Sequence, residues 1–214
     1  MYLGKFGSGK TEIAINHTLA LARAGARPWL VDLDTVTPFF RSRDLRERLE
    51  ESGARVVASA AHADLPALPP EIHSALQAGD DPVVIDLGGD RAGARVLGAW
   101  RDYMVPGQYR ALFVVNACRP FTGDAAGIAR AVGELESVAR IKVTDLVSNT
   151  HLGSRTTPGV VLEGDRVIRH AARQLGLPVA FLVIREGLAD PETFPPPVVV
   201  IRPCLGPPFG PGGI

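Results

Sequence analysis

The stretch Gly4-Lys5-Phe6-Gly7-Ser8-Gly9-Lys10-Thr11 constrains the fold more than any other part of the chain. It fits G-x-x-x-x-G-K-[ST], the phosphate-binding loop, in which successive backbone N–H groups wrap a phosphate chain. Gly4, Gly7 and Gly9 let the backbone take positive φ and approach phosphate oxygens with no Cβ in the way. Lys10 is expected to reach the terminal phosphates, with the Thr11 hydroxyl on Mg²⁺. The segment Thr11–Ala24 reads as a helix whose positive end would point at the anion. The phosphate-contacting set expected here is Gly4, Gly7, Ser8, Gly9, Lys10, Thr11 and Glu12.

Such a loop needs a strand before it, and only Met1-Tyr2-Leu3 precede Gly4. A strand of a parallel sheet usually runs to about five or six residues. The expectation is either a start upstream of this Met or a central strand reduced to a stub. Past the first helix, Gly25 is a natural stop. Strands are expected at 27–34, 55–58, 82–87, 110–116, 143–149, 179–185 and 198–201. Helices are expected at 42–52, 71–78, 92–103, 124–139 and 165–175, with 62–70 a loop. The strands are apolar throughout rather than alternating, which predicts an α/β fold: a mostly parallel sheet with helices on both faces. One domain over 1–202 is the economical reading, followed by a flexible Pro/Gly-rich tail at 203–214.

Composition excludes several classes. Hydrophobic residues make up 46% and charged residues 21%, with 23 basic against 23 acidic side chains. That balance gives no bulk attraction for a polyanion, so a nucleic-acid partner is not expected. Cys118 and Cys204 are far apart with no C-x-x-C, which argues against a disulfide scaffold and fits a reducing cytoplasm. No apolar run reaches the ~18 residues of a spanning helix, so no membrane association is expected. His17, His62, His73, His151 and His170 share no metal-binding spacing and are read as structural.

Open α/β sheets bind ligands at the carboxyl ends of their strands. The suggestive residues all fall there: the loop itself, Asp32 and Asp34, Asp86 with Gly89, Asn116 and Asn149. Asp86 closes h-h-h-D-x-x-G, where a carboxylate would hold Mg²⁺ and the Gly89 N–H could face a γ-phosphate. Asn149 carries a donor and an acceptor that could read the N6/N7 edge of adenine, and no N-K-x-D guanine signature is present. Phe39 and Phe40 are either core or partner surface. Arg41, Arg43, Arg91 and Arg95 either bind an anionic substrate group or are solvated, and Pro120 either walls the base or shapes its turn.

These motifs together resemble the MinD/ParA/CobQ–CobB class of P-loop proteins, with its deviant loop G-K-G-G-x-G-K-[ST]. The likeness covers Gly4–Thr11, Val31-Asp-Leu-Asp34, Asp86-Leu-Gly-Gly89 and Ser148-Asn-Thr150, and departs from the pattern at Phe6. It implies ATP and Mg²⁺ as cofactors, with Thr11, Asp34 and Asp86 around the metal. It also implies that Asp34 orients the attacking water and that Lys5 reaches across a homodimer closed over the nucleotide. Catalysis would then rest on Lys10, Asp34 and Lys5. An ATPase switch acting on an unknown protein or small-molecule partner follows. An ATP-dependent enzyme phosphorylating a substrate carboxylate, like dethiobiotin synthetase, and a binding module without turnover are the alternatives.

Overall fold

A computed structural model describes residues 1–33, 46–58, 70–88 and 91–205. Its strands are β1 (Tyr2–Leu3), β2 (Trp29–Leu33), β3 (Arg55–Ala58), β4 (Val83–Leu87), β5 (Leu112–Val115), β6 (Asp145–Ser148), β7 (Val179–Arg185) and β8 (Val198–Ile201). The helices are α1 (Lys10–Arg23), α2 (Arg46–Glu51), α3 (Pro70–Ala78), α4 (Arg91–Ala99), α5 (Ala125–Ala139) and α6 (Pro158–Leu175). The strands form one eight-stranded sheet in the order β3-β2-β4-β1-β5-β6-β7-β8. Every neighbouring pair is parallel.

Alternation along the strands divides the core in two. Leu3, Val31, Leu33, Ile85, Leu87, Phe113 and Val115 face the layer made by α3, α4, α5 and α6, where Trp100 is also buried. Tyr2, Leu30, Val84, Leu112, Val114 and Val147 face α1 and α2. By the same alternation Gly4, Asp32, Asp86, Asn116 and Asn149 belong to the α1 face. Asp32 and Asp86 are in register on adjacent strands. The expected helix-covered parallel sheet is what the chain forms.

β1 spans two residues, Tyr2–Leu3. The expected helix at 92–103 ends at Ala99 and continues as a separate 3₁₀ turn over Arg101–Tyr103. The helix expected from Asp165 starts seven residues earlier, because the Thr157 hydroxyl accepts from the Val160 N–H and Pro158 stands in the first turn. Both are ordinary helix-start devices. Asp165 is instead mid-helix and buried, paired with Arg169 Nε at 2.6 Å. The beginning of the helix expected at 42 lies outside the described residues, as does most of the loop expected at 62–70.

α6 packs closely on the carboxyl end of β6. A Cβ on Gly164 would land on the Thr150 side chain, which is buried and accepts from the Ala117 N–H. Gly164→Ala is expected to cost about 1–3 kcal/mol as an overpacking change. It should lower the urea midpoint at unchanged m-value; an unchanged midpoint would refute this packing.

Candidate functional site: the loop at the centre of the sheet

The loop after β1 is held from outside by side chains of the β5 and β6 ends. Asn116, fully buried, donates through Nδ2 to the Gly7 carbonyl (3.3 Å) and the His151 carbonyl (3.1 Å). Its Oδ1 accepts from the Cys118 and His151 N–H groups. Asn149 Nδ2 donates to the Ser8 carbonyl at 2.7 Å, and Arg119 Nε to the Gly7 carbonyl at 3.2 Å. Inside the turn, Ser8 N–H bonds the Lys5 carbonyl at 3.2 Å.

Two glycines are required by this geometry. Gly9 caps α1 in the left-handed region (φ 84°, ψ 15°), and a Cβ there would strike the Asn149 amide. Gly7 lies so close beneath Arg119 that a Cβ would sit 2.7 Å from its Nε. Only a residue without a side chain allows both approaches.

The start of α1 differs from those of α5 and α6. Asp124 caps α5 by accepting from the Gly127 N–H, and Thr157 caps α6, whereas no side chain caps α1. Its first N–H groups thus depend on the loop or on a ligand. Lys10 is the first residue of the helix, and it is only 5% exposed. Among the described residues, no carboxylate pairs with its ammonium. The Ser8 hydroxyl is likewise buried without a partner among them. Thr11 is buried beside Lys10. Among the described residues no three His, Cys, Asp or Glu side chains cluster for a metal. A Mg²⁺ site needs no such cluster, since one or two carboxylates with phosphate and water oxygens suffice.

The other expected residues divide. Asp86 and Asp32 are buried side by side on the α1 face of the sheet. Asp34, Gly89, Phe39, Phe40, Arg41 and Arg43 lie outside the described residues. Lys5 Nζ pairs with Glu134 Oε2 at 2.7 Å within the chain. Both partners are substantially exposed, so the pair is worth at most about 1 kcal/mol.

Two of the expected residues make contacts within the chain. Glu12 turns to the C-terminal segment rather than the loop: its carboxylate accepts from the Cys204 and Leu205 N–H groups. Burial raises its pKa, and those two backbone bonds oppose the rise. Asn149, expected at a base edge, is buried and donates through its amide nitrogen to the Ser8 carbonyl.

Arg119 and His151 were not among the expected site residues. Arg119 stood in the loop noted only for Pro120, and its bond to Gly7 has no local sequence signal. His151 follows Asn149 by two residues, and its Nε2 would lie 3.4 Å from a Cβ on Gly9.

No protein-family model matches the chain, and no curated protein matches it at the sequence level. Solved structures do share its fold. The signal recognition particle receptor FtsY from Elizabethkingia anophelis is 19% identical, with TM-score 0.52 over 89% of this chain and 58% of that one. The cell division protein FtsY from Thermotoga maritima is 22% identical, with TM-score 0.53 over 88% and 61%. The 54 kDa signal recognition particle protein from Aeropyrum pernix, solved in complex with GDP, is 24% identical, with TM-score 0.55 over 85% and 40%. This chain thus spans between 40% and 61% of those structures. The likeness establishes the fold, an eight-stranded α/β architecture of the P-loop kind. No helix among the described residues is long and apolar enough to cross a membrane.

The position of His151 has a consequence for stability. Burial, reinforced by the nearby Arg119 guanidinium, holds its imidazole below the usual range. The unfolded chain therefore takes up a proton near pH 6.5 that the folded chain accepts only at lower pH. Stability should rise with pH through that window and fall as pH drops below about 6.5. His17, also lowered by burial, adds to the slope. Urea midpoints between pH 7.5 and 5 should fall less steeply for His151→Gln than for the parent; parallel curves would refute the assignment.

Proposed function

We propose that this chain binds Mg-ATP at the loop Gly4–Thr11 and acts as an ATPase switch of the MinD/ParA type on a partner protein or small molecule. The observation that carries the proposal is Lys10: a largely buried side chain with no carboxylate partner among the described residues, at a helix start no side chain caps. An ammonium beside the positive end of a helix is unfavourable, and a phosphate chain both neutralises it and accepts from the first N–H groups.

The nucleotide is assigned from chemistry at the β6 end. Asn149 is followed by Thr150-His151-Leu152, which supplies no acidic residue to accept from a guanine edge. That favours adenine, although one structure sharing the fold was solved with GDP. Thr11 and Asp86, with Asp34, are the residues that would hold Mg²⁺, which supplies charge neutralisation along the phosphates. Lys10 and the loop N–H groups orient the terminal phosphate, and Asp34 orients the attacking water. Lys5 is the candidate to reach a facing subunit in a homodimer closed over the nucleotide. Its ion pair with Glu134 is weak enough to exchange for a phosphate contact.

Calorimetric titration with Mg-ATP tests the site. Lys10→Ala should weaken binding at least about 30-fold, the floor set by ~2 kcal/mol for removing one buried charge partner. Equal affinity in parent and variant would discard the proposal, and tighter binding of Mg-GTP than of Mg-ATP would overturn the choice of base.

Chelation of Mg²⁺ supplies a separate check. EDTA, or Asp86→Asn at low Mg²⁺, should abolish hydrolysis while leaving the unfolding free energy within about 1 kcal/mol of the parent. Undiminished turnover in EDTA would remove Asp86 from the metal assignment.

A further inference from the structure

Past β8 the chain crosses to α1, which grips it through main-chain groups. Asn16 Nδ2 donates to the Arg202 carbonyl, and the Arg202 N–H donates to Asn16 Oδ1, each at 2.9 Å. One turn nearer the start of α1, the Glu12 carboxylate accepts from the Cys204 N–H and, at 3.3 Å, from the Leu205 N–H. Residues four apart lie on one stripe of a helix, so Glu12 and Asn16 form a single docking rail. Asn16 Nδ2 also donates to Glu12 Oε1 at 3.4 Å, which ties the two side chains together. Cys204 and Leu205 pack on the apolar core of the α1 face. The segment 202–205 is thus a strap held by two side chains of one helix.

Glu12 leaves another partner to hold that strap. With Gly9 as the N-cap and Lys10 the first helical residue, Glu12 is the third residue of α1. A glutamate at the third position commonly reaches back to the backbone N–H of the cap residue, the arrangement called a capping box. Here the carboxylate is turned to the strap instead, with both oxygens bonded there. The Gly9 N–H belongs to the run of amides that a loop of this kind turns toward a phosphate. One carboxylate therefore has two alternative sets of donors: the N–H groups of the strap, and the cap N–H that an anion would use.

We propose that the strap at 202–205 is a latch that regulates the phosphate loop. Docked, it holds Glu12 off the Gly9 N–H and leaves the site open to an anion. Released, it lets Glu12 cap α1 and take that donor for itself, with its negative charge now beside the loop. The latch rests on the nucleotide reading for the identity of the anion, and on the bonds around Glu12 alone for its mechanism. An anion on the loop and a docked strap favour the same state, so each strengthens the other, as linkage requires.

Four forms of the chain test this: the parent, a version ending at Arg202, Glu12→Ala, and the two changes together. Without nucleotide, ending the chain at Arg202 should slow amide exchange at Gly9 at least about threefold, because the carboxylate then accepts from it. The same truncation in the Glu12→Ala background should leave Gly9 exchange unchanged. In calorimetric titration with Mg-ATP, truncation should weaken binding at least about fivefold in the parent, the low end of ordinary coupling between sites, and less than about twofold in the Glu12→Ala background. If the truncated chain does not fold cooperatively, Asn16→Ala, which loosens the strap at full length, is read in its place against the same outcomes. Equal Gly9 exchange in parent and truncated chains would overturn the latch whatever anion the loop binds. So would an equal loss of Mg-ATP affinity on truncation in both backgrounds. A parent chain that gives no heat with Mg-ATP would sink the nucleotide reading, and the exchange result would then decide the latch by itself.

Discussion

The ammonium of Lys10, unpaired among the described residues, sets the terms for the carboxyl edge of the sheet. A cation at the first residue of a helix opposes the positive end of that helix. α5 and α6 avoid the problem with side-chain caps from Asp124 and Thr157. At α1 the cap is Gly9 in the left-handed region, which has no side-chain acceptor to offer. The same residues that leave the helix start uncapped place a positive charge beside it. A negative group is the one addition that resolves both penalties together, which is why the phosphate reading follows from electrostatics as well as from a motif.

That arrangement persists because the loop is fixed from behind. Gly7 and Ser8 present their carbonyls to Arg119, Asn116 and Asn149, three donors carried on the ends of β5 and β6. Asn116 also bonds the His151 backbone through both ends of its amide, so the β5 and β6 loops and the loop after β1 share one hydrogen-bonded hub. Two-residue periodicity does the remaining placement, since Gly4, Asp32, Asp86, Asn116 and Asn149 each stand two residues beyond a strand residue buried against α1, or on the same parity.

What was legible in the chain is what local chemistry controls. The loop, the first helix, the apolar strands and the burial of Asp86 follow from spacing and from strand-end position. The start of α6 was equally legible in Thr157-Pro158, but Gly159 and Gly164 hide it by lowering helix propensity over that turn. Gly164 is there for packing against Thr150, a long-range reason no window of sequence contains. Arg119 and Glu12 were not legible at all, because each acquires its partner only when distant segments meet. The Pro/Gly-rich end was expected to be flexible from 203, yet Cys204 and Leu205 pack against the α1-side core.

The fate of Glu12 shows why that docking matters. A carboxylate one residue past Thr11 favours a helix start through the dipole, yet it would repel a triphosphate held by Lys10. The C-terminal segment removes the conflict by turning the carboxylate away and surrounding it with the Cys204 and Leu205 N–H groups. One turn along α1, Asn16 completes the attachment with a reciprocal pair to Arg202: its Nδ2 donates to the Arg202 carbonyl and its Oδ1 accepts from the Arg202 N–H, each at 2.9 Å. These bonds join the strand at one edge of the sheet to the helix at its centre. The orientation of α1, and with it the direction of its uncapped N–H groups, is therefore set by contacts at both ends of the chain.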